Sequence, residues 1–229
     1  SIFNKLTFGK KLSIATRFVY EDRWGGQMNW SPEYRGGESI YGESIFTARF
    51  EIFGKYELNS EFSFSFSLND HNQNSVYGST SFNANQTIGF GQFVWNKNIK
   101  RHDILLGMAY RYTIYDDDTT ATFNELSKLN QEKITHLPGI FIQDEIIFNS
   151  KNTLLLGLRY DYNSLHGNIL TPRVNYKISN KAKSTTVRFS IGSGYRVAQV
   201  FTEDHAALTG ARDVVFLEDI DPERSWNIN

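Results

Sequence analysis

The sequence contains no cysteine, which excludes disulfide frameworks and thiolate metal sites and is compatible with an outer-membrane or periplasm-facing setting. It has no run of eighteen apolar residues, so a transmembrane helix is excluded while a membrane barrel stays open. Net charge is −1 and no Lys/Arg block occurs, so the electrostatic footprint of a nucleic-acid binder is missing. HExxH, P-loop and dinucleotide fingerprints are absent, and Gly192-Ser193-Gly194 sits inside an alternating pattern rather than at a nucleophile elbow. The chain therefore reads as a non-enzyme, with no catalytic residues and no cofactor.

What is present is alternation. From Thr153 to Tyr162, Leu154, Leu156, Leu158, Tyr160 and Tyr162 fall on one face and Leu155, Gly157, Arg159 and Asp161 on the other, the period-two signature of a β-strand. Leu170, Pro172, Val174, Tyr176 and Ile178 repeat it against Thr171, Arg173, Asn175 and Lys177. Val187, Phe189, Ile191 and Tyr195 do so against Arg188, Ser190, Gly192, Gly194 and Arg196. These runs exceed the five or six residues typical of soluble strands and match the roughly nine to eleven that cross a bilayer. Aromatic residues gather at their ends, at Tyr160, Tyr162 and Phe148, as an interfacial girdle requires. A mean hydropathy of −0.43 agrees, because half of each strand faces a wet lumen.

Further strands are predicted over 2–8, 12–20, 45–56, 62–69, 86–95, 103–115 and 140–148, about ten in all. In the 140–148 run Asp144 shares a face with Ile142 and Ile146, and a bulge would repair the register. Connections at 21–43, 116–136 and 197–222 are long, a polar loop is predicted from Asp70 to about Phe82, the loop at 163–168 is moderate, and the other turns, such as 149–152 and 179–183, are short. An up-and-down barrel sorts its connections this way. The fold class is thus all-β: an antiparallel up-and-down transmembrane β-barrel, present in part.

The 21–43 loop is dense in glycine and aromatics. Trp24, Trp30, Tyr34 and Tyr41, interleaved with Arg23 and Arg35, are candidates for stacking on and pairing with a ligand; packing of the loop on itself is the other reading. Glu203, Asp204 and His205 are weak metal candidates, and Asp116, Asp117 and Asp118 weak calcium candidates, since adjacent residues seldom converge on one ion.

Five words in order, Gly139-Ile-Phe-Ile-Gln143-Asp144-Glu145, Leu156-Gly-Leu-Arg159-Tyr160-Asp161, Leu170-Thr-Pro172-Arg173-Val174, Gly192-Ser-Gly-Tyr195-Arg196 and Asp221-Pro-Glu-Arg-Ser-Trp226, resemble the barrel of TonB-dependent outer-membrane transporters. Trp24-Gly25-Gly26 and the strand from Lys100 through Tyr110-Arg111-Tyr112 extend the likeness over most of the chain. The resemblance implies a fragment of a 22-stranded barrel with a plugged lumen, the plug, signal peptide and C-terminal strands lying outside residues 1–229. It also implies a Gram-negative outer-membrane location, with lipid, the receptor's own plug, the TonB complex and a small ligand as partners. That ligand is expected to be a metal chelate such as a ferric siderophore or cobalamin. A passive porin-like or adhesin barrel and a glycan-uptake receptor are the alternatives. Arg159, Arg173, Arg188 and Arg196, on the polar faces of neighbouring strands, are the expected plug contacts, or else plain lumen charges.

Overall fold

In a computed structural model, residues 1–180, 182, 184–198, 207, 209–210, 212, 214–215 and 220–229 are described. Eleven strands form one antiparallel sheet: β1 (Ile2–Phe8), β2 (Leu12–Gly26), β3 (Gly42–Glu57), β4 (Phe62–Tyr77), β5 (Thr80–Ile99), β6 (His102–Asp117), β9 (Lys133–Ile147), β10 (Asn152–Asn163), β11 (Gly167–Ser179), β12 (Thr186–Arg196) and β13 (Glu223–Ile228). Each pairs with the next, and the β6–β9 connection holds the separate two-stranded hairpin of β7 (Phe123–Asn124) and β8 (Leu129–Asn130). The order is the unbroken meander of a barrel wall. The chain's last residues, up to Asn229, also read as a strand in the sequence, and they form β13.

Short turns close one end of the sheet, and their chemistry is local. Asn59 Oδ1 accepts the amides of Glu61 and Phe62 at 2.8 and 2.9 Å, and Asn149 Oδ1 those of Lys151 and Asn152 at 2.9 and 3.0 Å; an asparagine side chain here stands in for a backbone turn.

Register sorts the side chains onto two faces, since residues directly opposite in an antiparallel ladder point the same way. Phe50, Ile52 and Tyr56 of β3 share a face with Phe18, Thr16 and Leu12 of β2 and with Asp70, Leu68 and Phe64 of β4. Leu106 and Met108 of β6, Ile142 and Ile140 of β9, and Leu158 and Tyr160 of β10 continue it, followed by Pro172 and Leu170 of β11. This outward face is the apolar belt. The other face carries Arg17, Glu51, Asn69, Gln92, Arg111, Gln143, Arg159 and Arg173.

Aromatics mark the belt's margins. At the short-turn end Trp95 lies opposite Phe62 and donates its indole N–H to Glu61 Oε2 at 3.1 Å, so the ring stays in the apolar zone while its polar edge meets water. At the far margin Tyr110 hydrogen-bonds His136 Nδ1 at 2.7 Å and Tyr160 donates to Asn168 Oδ1 at 2.7 Å.

Two sequence expectations need correction. No bulge repairs β9: Asp144 lies outward in an unbroken register, between Ile104 and Leu156, near the short-turn margin. His102 Nδ1 meets it at 2.7 Å, and that partner removes the need to turn it away. The polar loop from Asp70 to Phe82 is a hairpin instead, with β4 running to Tyr77 and β5 starting at Thr80. Above the belt both faces are wet, so hydropathic alternation ends while the backbone ladder continues. The same reason extends β2 to Gly26 and starts β9 at Lys133. With β5 at 20 residues, against the nine to eleven that span hydrocarbon, the wall stands well clear of the bilayer.

At that raised end the inner side holds a small apolar core. Tyr77, Phe82 and Ala207 are buried together, with Ile45, Ala84, Ala121 and Val214 against them. Described residues of the β12–β13 connection therefore meet the β4–β5 hairpin.

Candidate functional site

The lumen face of β9 to β12 brings the expected arginines to one stretch of wall, each in a different state. Arg159 holds Asp161 with both arms of its fork, Nε to Oδ2 at 2.7 Å and Nη2 to Oδ1 at 2.6 Å, while its guanidinium lies 5.5 Å from the centre of the Phe141 ring. Asp161 is completely buried. Residues two apart on a strand share a face, so Arg159-Tyr160-Asp161 forms an ion pair from local sequence alone. Arg173 donates to Gln143. Arg196 pairs with Glu223 at 2.9 Å with both side chains largely in solvent. Arg188 is exposed, directly opposite Lys177.

Glycines flatten this wall. A Cβ on Gly107 would strike the Phe141 ring, one on Gly139 the Asp161 carboxylate, and one on Gly157 the Arg173 side chain at 3.0 Å. Large side chains therefore lie along the sheet, leaving a cavity of about 460 Å³ lined by Gln92, Phe141, Gln143, Arg159, Thr171 and Arg173 among others. Gly139→Ala is expected to cost about 1–3 kcal/mol by overpacking against a carboxylate that has nowhere to move. Denaturation of the refolded receptor in lipid checks this, and an unchanged midpoint would show that Asp161 can give way.

Pairing of β12 with β11 ends at Gly192 opposite Arg173, while its ladder with β13 runs on through Tyr195 opposite Arg224 and Arg196 opposite Glu223. Lower on the wall, Arg17 Nε donates to Glu51 Oε2 at 2.5 Å and Asn69 to Glu51 Oε1 at 3.0 Å, with Arg49 3.3 Å from the same carboxylate. The sequence reading did not single out this network, although Arg49-Phe-Glu51 carries the same two-apart signal as Arg159 and Asp161.

The loop candidates are divided by strand geometry. Arg23 and Trp24 belong to β2, not to a loop. Trp24 lies opposite Ser44 on the outward face. Trp30 is buried over Gly42, where a Cβ would run into its ring, and stacks on Trp24 with ring centres 5.4 Å apart and planes at 29°. Arg35 follows them outward: it donates to Ser44 Oγ at 3.0 Å and to Asn74, and covers the Phe46 ring at 5.0 Å. Tyr34 stands in the 3₁₀ turn Pro32–Tyr34, partly exposed.

Arg23 and Tyr41 take the lumen side. Arg23 shares the face of Ile45 and sits 3.6 Å from Glu21. Tyr41 donates its hydroxyl to Glu43 Oε1 at 2.7 Å, and that bond, with partial burial and the negative charge of Glu43, pushes the phenol up to about 12. The folded state thus holds this proton more firmly than a free tyrosine near pH 10 does. The stabilisation is complete below about pH 10 and is lost as pH rises towards 12. Glu43→Gln is expected to return the Tyr41 ring titration, followed by NMR, towards pH 10; a midpoint still near 12 would show that the carboxylate is not its cause.

Glu203, Asp204 and His205 lie outside the described residues. Asp117 and Asp118 of the acidic run are spent on local structure, Asp117 accepting from Tyr115, Thr119 and Thr122 and Asp118 from Ser81 and Asn83, while Asp116 Oδ1 is buried without a hydrogen-bond partner. Among the described residues no group of three His, Cys, Asp or Glu side chains is placed to hold a metal.

Comparison with known proteins places this geometry. The siderophore receptor PirA of Pseudomonas aeruginosa superposes with a TM-score of 0.61 at 10% identity, covering 86% of this chain and 33% of the receptor. The ferric enterobactin receptor PfeA of the same organism, in complex with enterobactin, gives 0.61 at 12% identity, with 87% and 33% covered. PirA of Acinetobacter baumannii gives 0.59 at 10% identity, with 85% and 32% covered. At these identities the likeness concerns the fold, and the chain spans about a third of each receptor's length. No curated protein sequence matches significantly. The family model for the TonB-dependent receptor-like β-barrel matches residues 4–229, and the chain belongs to that family.

Proposed function

We propose that this chain is part of the wall of a Gram-negative outer-membrane receptor that takes up a scarce metal chelate, of the ferric siderophore or cobalamin type, driven by the TonB complex. The observation that carries the reading is the lumen face of β9 to β12, a polar, arginine-bearing wall whose side chains lie flat against glycines. Such a wall leaves room for a folded plug and offers it hydrogen-bonding groups. In this reading Arg173, Arg188 and Arg196 meet the plug, while Arg159, already forked onto Asp161, presents the remainder of its guanidinium. Arg23 and Tyr41 line the mouth on the ligand's path. The fold neighbours named siderophore receptors support a chelate as cargo.

The parent receptor, expressed as a cell's single uptake route, is expected to accumulate labelled ferric siderophore in energised cells and to stop when the proton-motive force is dissipated. Influx indifferent to energy would favour the passive porin-like reading. Entry of oligosaccharide without chelate would favour the glycan receptor.

A further inference from the structure

Above the apolar belt, the outside of the wall between β2 and β5 carries a surface that uptake through the lumen leaves unused. Trp24 is 64% exposed there, on a buried Trp30 that fixes its orientation. On the adjoining strands Asn72 lies directly opposite Asn85, and Asn74 opposite Asn83. All four are exposed, and the register gives them the face of Trp24: Trp24 pairs with Ser44, and Phe46, two residues on, pairs with Asn74. Two strand spacings of ~4.8 Å across the sheet and a two-residue offset of ~7 Å along it put the indole about 12 Å from the nearest asparagine, Asn74, the span of a short oligosaccharide.

The chemistry selects among ligands. An exposed indole offers a flat π face to the C–H side of a ring; the amides of Asn72 and Asn85 can both donate and accept, as sugar hydroxyls do, while Asn74 keeps its N–H groups and Asn83 its carbonyl oxygen, their other halves being held by Arg35 and Asp118. A phosphate would call for free cations, but Arg35, which adjoins the patch, is held by Ser44, Asn74 and the Phe46 ring, and the carboxylates Asp22 and Asp70 share this face. We propose that this patch binds the neutral saccharide of an outer-leaflet glycolipid, gripping it just outside the bilayer through Trp24 and the asparagine rungs. The inference rests on the membrane reading, because the patch begins where outward residues change from Leu68 to Asp70 and Asn72.

The test uses the intact receptor in detergent and, as probe, the soluble core oligosaccharide released from a lipopolysaccharide, with and without enzymatic removal of its phosphates. Saturation-transfer NMR and tryptophan fluorescence report binding. Trp24→Ala is expected to weaken it about tenfold, the upper range of an aromatic contact. Trp24→Phe should retain most of it, and Asn72→Ala/Asn74→Ala should weaken it several-fold, with dephosphorylation making no difference. Unchanged chelate uptake by each variant shows that it folds. Equal affinity of Trp24→Ala and the parent, with uptake intact, would overturn the saccharide site and leave the transport reading standing. Binding that requires the phosphates and vanishes in salt would overturn it equally. A parent protein that does not fractionate with the outer membrane would remove the membrane reading and this inference with it.

Discussion

Arg159→Ala is expected to destabilise the receptor by about 3–5 kcal/mol, because it leaves Asp161 charged, fully buried and without the fork that held it. The reverse change, Asp161→Ala, is expected to cost less, since the Arg159 side chain keeps 37% of its exposure and water can take over part of its solvation. This asymmetry separates a buried ion pair from generic lumen charges, which would cost little in either direction. Replacing both residues by leucine should recover much of the loss, as apolar pairs of similar volume often do. A double-mutant cycle in urea with the receptor in lipid vesicles measures the coupling. Equal and small single losses, with no coupling, would mean that the pair contributes nothing to the wall.

The second large effect is on the opposite face. Leu158→Arg should cost about 2–4 kcal/mol in a bilayer, because Leu158 stands mid-row in the belt, flanked by Ile142 and Pro172, where a guanidinium has neither water nor partner. Asn175→Arg, on the lumen face of β11 opposite Leu155, should stay within about 0.5 kcal/mol. Unfolding of the two variants in the same vesicles decides the matter. A comparable cost on both faces would invert or abolish the assignment of lipid and lumen sides.

The belt was readable because each of its strands separates two solvents. Leu154, Leu156 and Leu158 against Gly157, Arg159 and Asp161 need no partner strand to be recognised. Where both faces are wet the signal disappears, and with it the upper halves of β4 and β5, where Asn72, Asn74, Asn83 and Asn85 pair across a ladder that hydropathy cannot see. Asp144 illustrates the converse. Its sequence suggested a defect, yet His102, forty-two residues away in the chain, supplies the partner that makes an outward aspartate acceptable at the belt's margin.

The candidate site divides along the same line. The forked pair of Arg159 and Asp161 is a consequence of spacing, since residues two apart on a strand share a face whatever surrounds them. That Arg173 reaches Gln143 depends on β9, β10 and β11 lying side by side, with Gly157 giving Arg173 room to lie flat. Trp24, Trp30, Tyr34, Arg35 and Tyr41 look like one cluster when read along the chain, but β2 and β3 send Trp24 and Arg23 to opposite sides of a wall one residue thick. By itself the sequence determined the strands, their two faces and the family, because alternation and short turn motifs are local. Only the tertiary structure decided which arginines are already paired and which aromatics look outward, because both depend on the register between strands, which no single strand contains.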